Sequence, residues 1–138
     1  MLGGFNEGAF EPADFVISAQ ANRVAVSDGH MVCLSVELDT PASLEQVTAA
    51  LRDYAPPRES RDLPSAPRPA IKLMSESNRP QPRLDRMYGQ GMTTVVGRLR
   101  TDPLFHIRMV VLSHNTIRGA AGGSIYNAEL LVQQGWVD

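Results

Sequence analysis

Hydrophobic and polar residues alternate most regularly between positions 30 and 38. In this run the even-numbered side chains share one face and the odd-numbered side chains, Cys33 among them, share the other, which predicts a strand over 30–38. A similar pattern predicts an earlier strand over 15–20, extended by 23–26. The intervening Ser27-Asp28-Gly29 has the composition of a turn.

Two helices are predicted from apolar spacing together with residues typical of helix ends. The first has Ser43 as N-cap, Gln46 to close a capping box, and Pro56-Pro57 to end it. The second runs from about 118 to 134, and Gly135 stands where a helix commonly ends in a glycine.

Three further strands complete the predicted elements, over 71–74, 93–99 and 104–113. The segment 78–86 is predicted as a loop, because it is too rich in proline for a helix or a central strand. The order β-β-α-β-β-β-α, with short connections, predicts one α+β domain over 1–138, in which helices pack on a mixed, largely antiparallel sheet.

Composition narrows the class of protein. Apolar residues make up 43% of the 138 positions and charged residues 20%, which is typical of a globular domain. The net charge of −2 argues against a nucleic-acid partner, and the single cysteine excludes an internal disulfide. There is no apolar run long enough to cross a membrane and no signal-peptide pattern, so we expect a cytoplasmic protein with no membrane partner.

Few residues suggest chemistry by themselves. His30 lies where a glycine-containing turn enters a strand, and an imidazole can exchange protons near neutral pH. The segment 119–123 could hold an anion at a helix start, or its small residues could let the helix lie close to the sheet. Cys33, in mid-strand, is predicted to be buried and structural, and His106 and His114 lack partners at metal-ligand spacing, so no metal site is predicted.

Several longer runs, in order along nearly the whole chain, carry a resemblance to a known family. They are Asn22–His30, Cys33–Leu38, Arg79–Arg86, Val96–Arg100 and Leu112–Gly122. Together they resemble the C-terminal domain of aspartate-semialdehyde dehydrogenases, most closely those of the archaeal and fungal branch.

The resemblance implies both a reaction and a partner. In that family an N-terminal Rossmann-type domain binds NADP and carries a nucleophilic cysteine, while the C-terminal α+β domain supplies substrate-binding and acid–base residues and forms a homodimer interface. The reaction interconverts L-aspartate semialdehyde plus phosphate with L-aspartyl 4-phosphate, on the route to lysine, threonine and methionine.

Four positions of this sequence match residues that have a known role in the family. By resemblance, His30 is the catalytic acid–base group and Arg23 binds the substrate carboxylate. Asn115 and Gly119 match a region that lines the nicotinamide side of the cofactor site. The 79–86 loop is expected at the rim of the active site or in the dimer contact, or its arginines are solvated.

The sequence also departs from the family pattern. The chain has no Asn-Cys motif and no dinucleotide-binding glycine motif, and Cys33 follows His30 instead of preceding it. Leu2-Gly3-Gly4 has the composition of a helix end, as if an upstream part were missing. We therefore expect the N-terminal NADP-binding domain to be absent and this chain to be inactive by itself. A malonyl-CoA reductase of the same superfamily and a non-catalytic dimerisation module remain alternatives.

Overall fold

A computed structural model describes residues 3–14, 16 and 23–137. In chain order the strands are β1 (Gly3–Asn6), β2 (Ala9–Pro12), β3 (His30–Val36), β4 (Ile71–Leu73), β5 (Thr94–Thr101) and β6 (Ile107–Ser113). The helices are α1 (Leu44–Arg52), α2 (Arg58–Arg61), α3 (Pro82–Asp85) and α4 (Gly122–Gln133), with a 3₁₀ turn over Tyr88–Gly91 and a π-helical turn over Ile117–Ala121. None of these helices is long and apolar enough to cross a membrane.

The main sheet has four strands in the spatial order β3-β6-β5-β4. β6 pairs antiparallel with β3 and with β5, whereas β4 and β5 are parallel. Met74, Val95 and Leu112 form the centre of the buried core. The predicted α+β class with a mixed, largely antiparallel sheet is confirmed.

Local signals located the start of α1, the end of α4 and the strands of this sheet, whereas α1 ends at Arg52, before the Pro56-Pro57 pair that was predicted to end it. The Gln46 N–H donates to Ser43 Oγ at 3.2 Å, and the Ser43 N–H donates to Gln46 Oε1 at 2.8 Å, so the predicted capping box at α1 is present. At the other end of the chain, the Gly135 N–H donates to the Val132 carbonyl at 3.0 Å, as expected where α4 ends. β3, β4, β5 and β6 all fall within two or three residues of the predicted bounds.

The predictions were wrong near the start of the chain. The stretch 23–26 is irregular, not a strand, and the Val26 N–H donates to the Val24 carbonyl at 2.9 Å. Positions 15 and 17–20 of the other predicted strand lie outside the described residues. Gly3 and Gly4 belong to β1 of a small hairpin, not to a helix end. Because β1 and β2 are only four residues long and exposed throughout, they carry no alternation by which the sequence could reveal them.

Two helical segments also differ from expectation. The proline-rich stretch predicted as a loop contains the one-turn helix α3, because Pro82 stands in its first turn, where its missing N–H costs no hydrogen bond. The last helix begins later than predicted: 117–121 form a π-helical turn, and regular α-helix follows from Gly122.

Candidate active site

The turn before β3 is fixed by Gly29. This residue is buried with φ +108°, a conformation that L side chains rarely adopt. An added Cβ would lie 3.1 Å from Leu112 Cδ1 and 3.2 Å from Pro82 Cβ. Gly29 is therefore held between the sheet and the proline-rich loop, and β3 starts from a defined point.

His30 follows at once as the first residue of β3. It pairs with Ser113, the last residue of β6, and it is exposed. No side-chain hydrogen bond to the described residues occupies its imidazole. The ring is thus presented at the end of an edge strand, free to meet a ligand or another polypeptide segment.

Asn115 is joined directly to this turn. Its Oδ1 accepts a 2.7 Å hydrogen bond from the Gly29 N–H. Beside it, Thr116 Oγ1 lies 3.4 Å from Asp28 Oδ1. These two contacts join Asp28 and Gly29, which precede His30, to the segment that follows β6.

Gly119 lies in the same segment and is held there by a hydrogen bond to His114. The buried His114 accepts at Nδ1 from the Ile117 N–H at 3.3 Å, and its carbonyl accepts from the Gly119 N–H at 3.0 Å. Gly119 itself is exposed, and a Cβ there would meet only the His114 carbonyl oxygen, at an ordinary 3.7 Å. Asn115 and Gly119 therefore lie on one short turn next to the start of β3.

The glycines that open α4 serve packing. A Cβ on Gly122 would lie 2.6 Å from Met92 Sδ, and one on Gly123 would lie 2.5 Å from the Arg118 carbonyl oxygen. These neighbours are Met92 and the preceding turn and not a strand, so the contacts show close packing at Gly122 and Gly123 but not the predicted approach of the helix to the sheet.

Arg23 lies in the irregular segment that leads to the turn, and it is exposed. It forms no ion pair with a carboxylate of the described residues. Hydrogen bonds through the neighbouring Gly29 and His114 hold Asn115 and Gly119 near the start of β3, whereas no hydrogen bond among the described residues ties Arg23 to this group.

The proline-rich loop borders this site and has a fixed shape. The carboxylate of Asp85 is fully buried and accepts from Arg79 Nε at 2.7 Å, from Arg79 Nη2 and from the Gln81 N–H at 2.6 Å. Hydrogen bonding from Arg79 holds the pKa of Asp85 below its usual range, against the opposing effect of burial. Arg79 is therefore structural, so it is not one of the solvated arginines considered above.

The absence of a side chain at Gly97 allows this loop to pass close to β5. A Cβ on Gly97 would be 2.4 Å from the Arg79 carbonyl oxygen, so the loop passes directly over β5. The loop then reaches Gly29, which contacts Pro82 and lies close to Arg86. Sequence reasoning missed these contacts, because nothing local to Gly29 or Gly97 indicates which distant segment approaches it.

No group of three or more His, Cys, Asp or Glu side chains in the described ranges is placed to hold a metal ion.

Comparison with known proteins identifies the family of this chain. Residues 1–118 match the family described as "Semialdehyde dehydrogenase, dimerisation domain". The chain belongs to this family.

Curated relatives of this semialdehyde dehydrogenase domain carry a more specific name. The chain is 46% identical over 134 residues to an aspartate-semialdehyde dehydrogenase of Archaeoglobus fulgidus, covering 97% of this chain and 38% of the relative. It is 48% identical over 123 residues to the enzyme of that name from Saccharomyces cerevisiae, covering 88% of this chain and 34% of the relative. The chain thus spans little more than a third of the relatives that it matches.

Solved structures agree with the semialdehyde dehydrogenase assignment. The aspartate-semialdehyde dehydrogenase of Candida albicans, solved with NADP, matches with a TM-score of 0.89 and 43% identity over 99% of this chain and 40% of that one. An enzyme of the same name from Vibrio cholerae matches with a TM-score of 0.62 and 29% identity over 80% of this chain and 29% of that one. The predicted resemblance is confirmed, and these relatives favour it over the malonyl-CoA reductase alternative.

Proposed function

We propose that this chain is the substrate-binding and dimerisation part of an NADP-dependent aspartate-semialdehyde dehydrogenase, which interconverts L-aspartate semialdehyde plus phosphate with L-aspartyl 4-phosphate. The observation that carries the proposal is the junction of Gly29 with Asn115, which holds an exposed histidine beside the turn after β6. The similarity to enzymes of this name supports the same reaction.

His30 is the proposed acid–base residue. It would take the proton of a catalytic thiol and later exchange a proton with the substrate oxygen, whose basicity rises and falls as the carbonyl carbon becomes tetrahedral and reverts. Its exposure at the end of β3 suits this role, because the imidazole is not committed to a hydrogen bond with the described residues. The thiol would come from another polypeptide segment.

Cys33 does not suit the role of that nucleophile. It lies three positions after His30 on β3, so the two side chains point to opposite faces of the strand. Cys33 is exposed, contrary to the predicted burial, and it lies within a strand and not at a helix N-terminus, where a thiolate would be stabilised. A chain with this cysteine alone would not form the covalent intermediate.

Arg23 is the proposed site for the substrate carboxylate. Its guanidinium forms no ion pair with the described carboxylates, so its two parallel N–H donors remain available. A bidentate contact would fix the orientation of the substrate as well as supply charge, which a lysine would do less well.

Asn115 and Gly119 are the proposed contacts on the cofactor side. Asn115 uses Oδ1 to hold the Gly29 N–H, which leaves its amide N–H groups to donate to a polar ligand. The absence of a side chain at Gly119 leaves room beside the turn, so these residues fit a flat ring carrying a carboxamide. NADP, when bound, accepts a hydride from the substrate carbon.

A homodimer is part of the proposal. β3 is an edge strand whose residues 30–35 are all exposed, and its apolar Val32 and Leu34 are 47% and 37% exposed. Apolar side chains along an uncovered strand favour burial against a partner, and the family is described by its dimerisation. A second copy of this chain is the expected partner.

The proposal is tested in a chimera in which this chain replaces the matched segment of the Archaeoglobus fulgidus relative. The chimera should form NADPH from L-aspartate semialdehyde, phosphate and NADP. His30→Ala should lower kcat by at least about 100-fold, since general acid–base catalysis contributes that much. Arg23→Lys should raise KM for the semialdehyde about tenfold with a smaller change in kcat.

Arg58→Lys is the matched control for Arg23→Lys, because Arg58 is an exposed arginine on α2, outside the proposed site. It should leave both constants unchanged. A chimera that folds and binds NADP but retains full kcat with His30→Ala would overturn the acid–base role.

A further inference from the structure

A large cavity lies at the other edge of the sheet from His30. It is a groove of about 920 Å³ between α1 and the β4 edge of the sheet, here called the α1–β4 groove. The strand order β3-β6-β5-β4 places three interstrand spacings of about 4.8 Å each between β3 and this edge. The volume falls within the range of sites that bind small molecules.

The α1–β4 groove is strongly cationic. Four basic residues line it, namely Arg52, Lys72, Arg98 and Arg100. A single carboxylate, that of Glu76, is present among the lining residues. This local excess of positive charge contrasts with the net charge of −2 of the whole chain.

The arginines of the groove differ from those that serve structure. Arg79 and Arg108 each form an ion pair with a buried carboxylate, of Asp85 and Asp102 respectively. Arg52, Arg98 and Arg100 form no ion pair with the carboxylates of the described ranges. Their guanidinium groups thus remain available to an external anion.

A β-bulge presents two of these arginines. Gly97 pairs with Val110 and Arg100 with Arg108, so β5 has one more residue than β6 between the two pairs. Arg98 takes up the irregularity with φ +53°, an uncommon and strained conformation for an arginine. A bulge redirects side chains, and here both Arg98 and Arg100 line the groove.

Contacts within the bulge orient the guanidinium of Arg100. Its Nη1 donates to the Arg98 carbonyl at 2.8 Å, which leaves the other donors of the fork unused by that contact. Apolar Ile71, Leu73 and Met74 line the groove beside the charges. The groove therefore combines charged donors for an oxyanion with an apolar wall for an organic body.

We propose that the α1–β4 groove binds a small organic ligand through a phosphate or carboxylate group held by Arg98, Arg100 and Arg52. Guanidinium groups form charge-assisted, often bidentate hydrogen bonds with both kinds of oxyanion. The site needs neither His30 nor the turn at Asn115, so it is independent of the function proposed above.

The test uses the full 138-residue chain in a phosphate-free buffer of low ionic strength, titrated with pyrophosphate in one arm and citrate in the other. Calorimetry should show saturable binding of at least one anion with a Kd below about 1 mM. Amide chemical shifts should change in the lining segments 71–77 and 98–100, and the stronger arm identifies the preferred oxyanion. Binding should weaken as salt is added.

Variants separate a specific site from general attraction between charges. Arg98→Asn and Arg52→Gln should each weaken binding about tenfold. Asparagine is chosen at position 98 because it tolerates positive φ. Arg83→Gln removes an equal charge from an exposed position outside the groove and should leave the Kd unchanged. Absence of saturable binding in both arms, or equal weakening by Arg83→Gln, would overturn the proposal.

Discussion

The backbone N–H of Gly29 donates a 2.7 Å hydrogen bond to Oδ1 of Asn115, 86 positions later in the chain. The bond joins the turn that precedes His30 to the turn that follows β6. A side chain and a backbone group thereby set the position of the proposed acid–base residue, although His30 itself makes no part of the contact.

Asn115 therefore has a structural role that can be separated from its proposed role toward NADP. Asn115→Leu removes the acceptor for the partly buried Gly29 N–H and should lower the free energy of unfolding by about 1–3 kcal/mol. Asn115→Asp keeps an acceptor oxygen and should remain closer to the wild-type stability. Urea unfolding of the isolated chain measures both. Equal stability of the Leu variant and the wild type would show that the bond contributes nothing.

Gly29 should not tolerate a side chain. Alanine there would combine φ +108° with contacts of 3.1 and 3.2 Å to Leu112 and Pro82, so Gly29→Ala should destabilise the chain by about 1–3 kcal/mol. Gly4→Ala is the control, since nothing lies within 4 Å of a Cβ at that position and its φ is not positive. Thermal unfolding of the two variants should differ by several degrees, and matching midpoints would contradict the argument.

The buried ion pair of Asp85 with Arg79 should make stability depend on pH. The pKa of Asp85 is lowered in the folded chain, mainly by hydrogen bonding from Arg79. Between that value and the unfolded pKa of about 3.9, the unfolded state binds more protons, so stability rises with pH. The contribution of the pair is thus complete above about pH 4–5 and is lost as the pH falls through the folded pKa.

Asp85→Asn tests this dependence. At pH 7 it should cost about 3 kcal/mol or more, because it leaves the charge of Arg79 without its partner, and the difference from wild type should shrink below about pH 4. Asp39→Asn, at an exposed carboxylate, should leave stability nearly unchanged at every pH. Urea unfolding between pH 2.5 and 7 provides the comparison, and a difference independent of pH would refute the linkage.

The exposed edge strand should mediate self-association. Val32→Glu places a charge among the apolar side chains of β3 and should weaken the dimer at least about tenfold. Leu104→Glu introduces the same charge at a side chain that is 81% exposed in the connection between β5 and β6, and it should not change association. Sedimentation equilibrium of the wild type and both variants decides this, and a wild type that stays monomeric at micromolar concentration would contradict the dimer.

Features that depend on close neighbours in the chain could be predicted from the sequence. Ser43 and Gln46 are three residues apart and formed the expected capping box, and Gly135 ended the last helix as expected. A contact of equally short range holds the connection between β5 and β6, where Asp102 Oδ1 accepts from the Leu104 N–H at 3.0 Å. By contrast, the hairpin of β1 and β2 and the one-turn helix α3 were missed, because elements of four residues are too short to show a periodic pattern.

The amino-acid sequence by itself determined the main strands, the start of α1, the end of α4, and the runs of residues by which the family was recognised. Tertiary structure alone decided that Asn115 meets Gly29, that the Arg79 carbonyl lies against Gly97, and that Arg98 bulges toward the α1–β4 groove. The physical reason is the range of the interactions. Caps and turns join residues a few positions apart, whereas these contacts arise only when strand register and loop paths bring distant segments together.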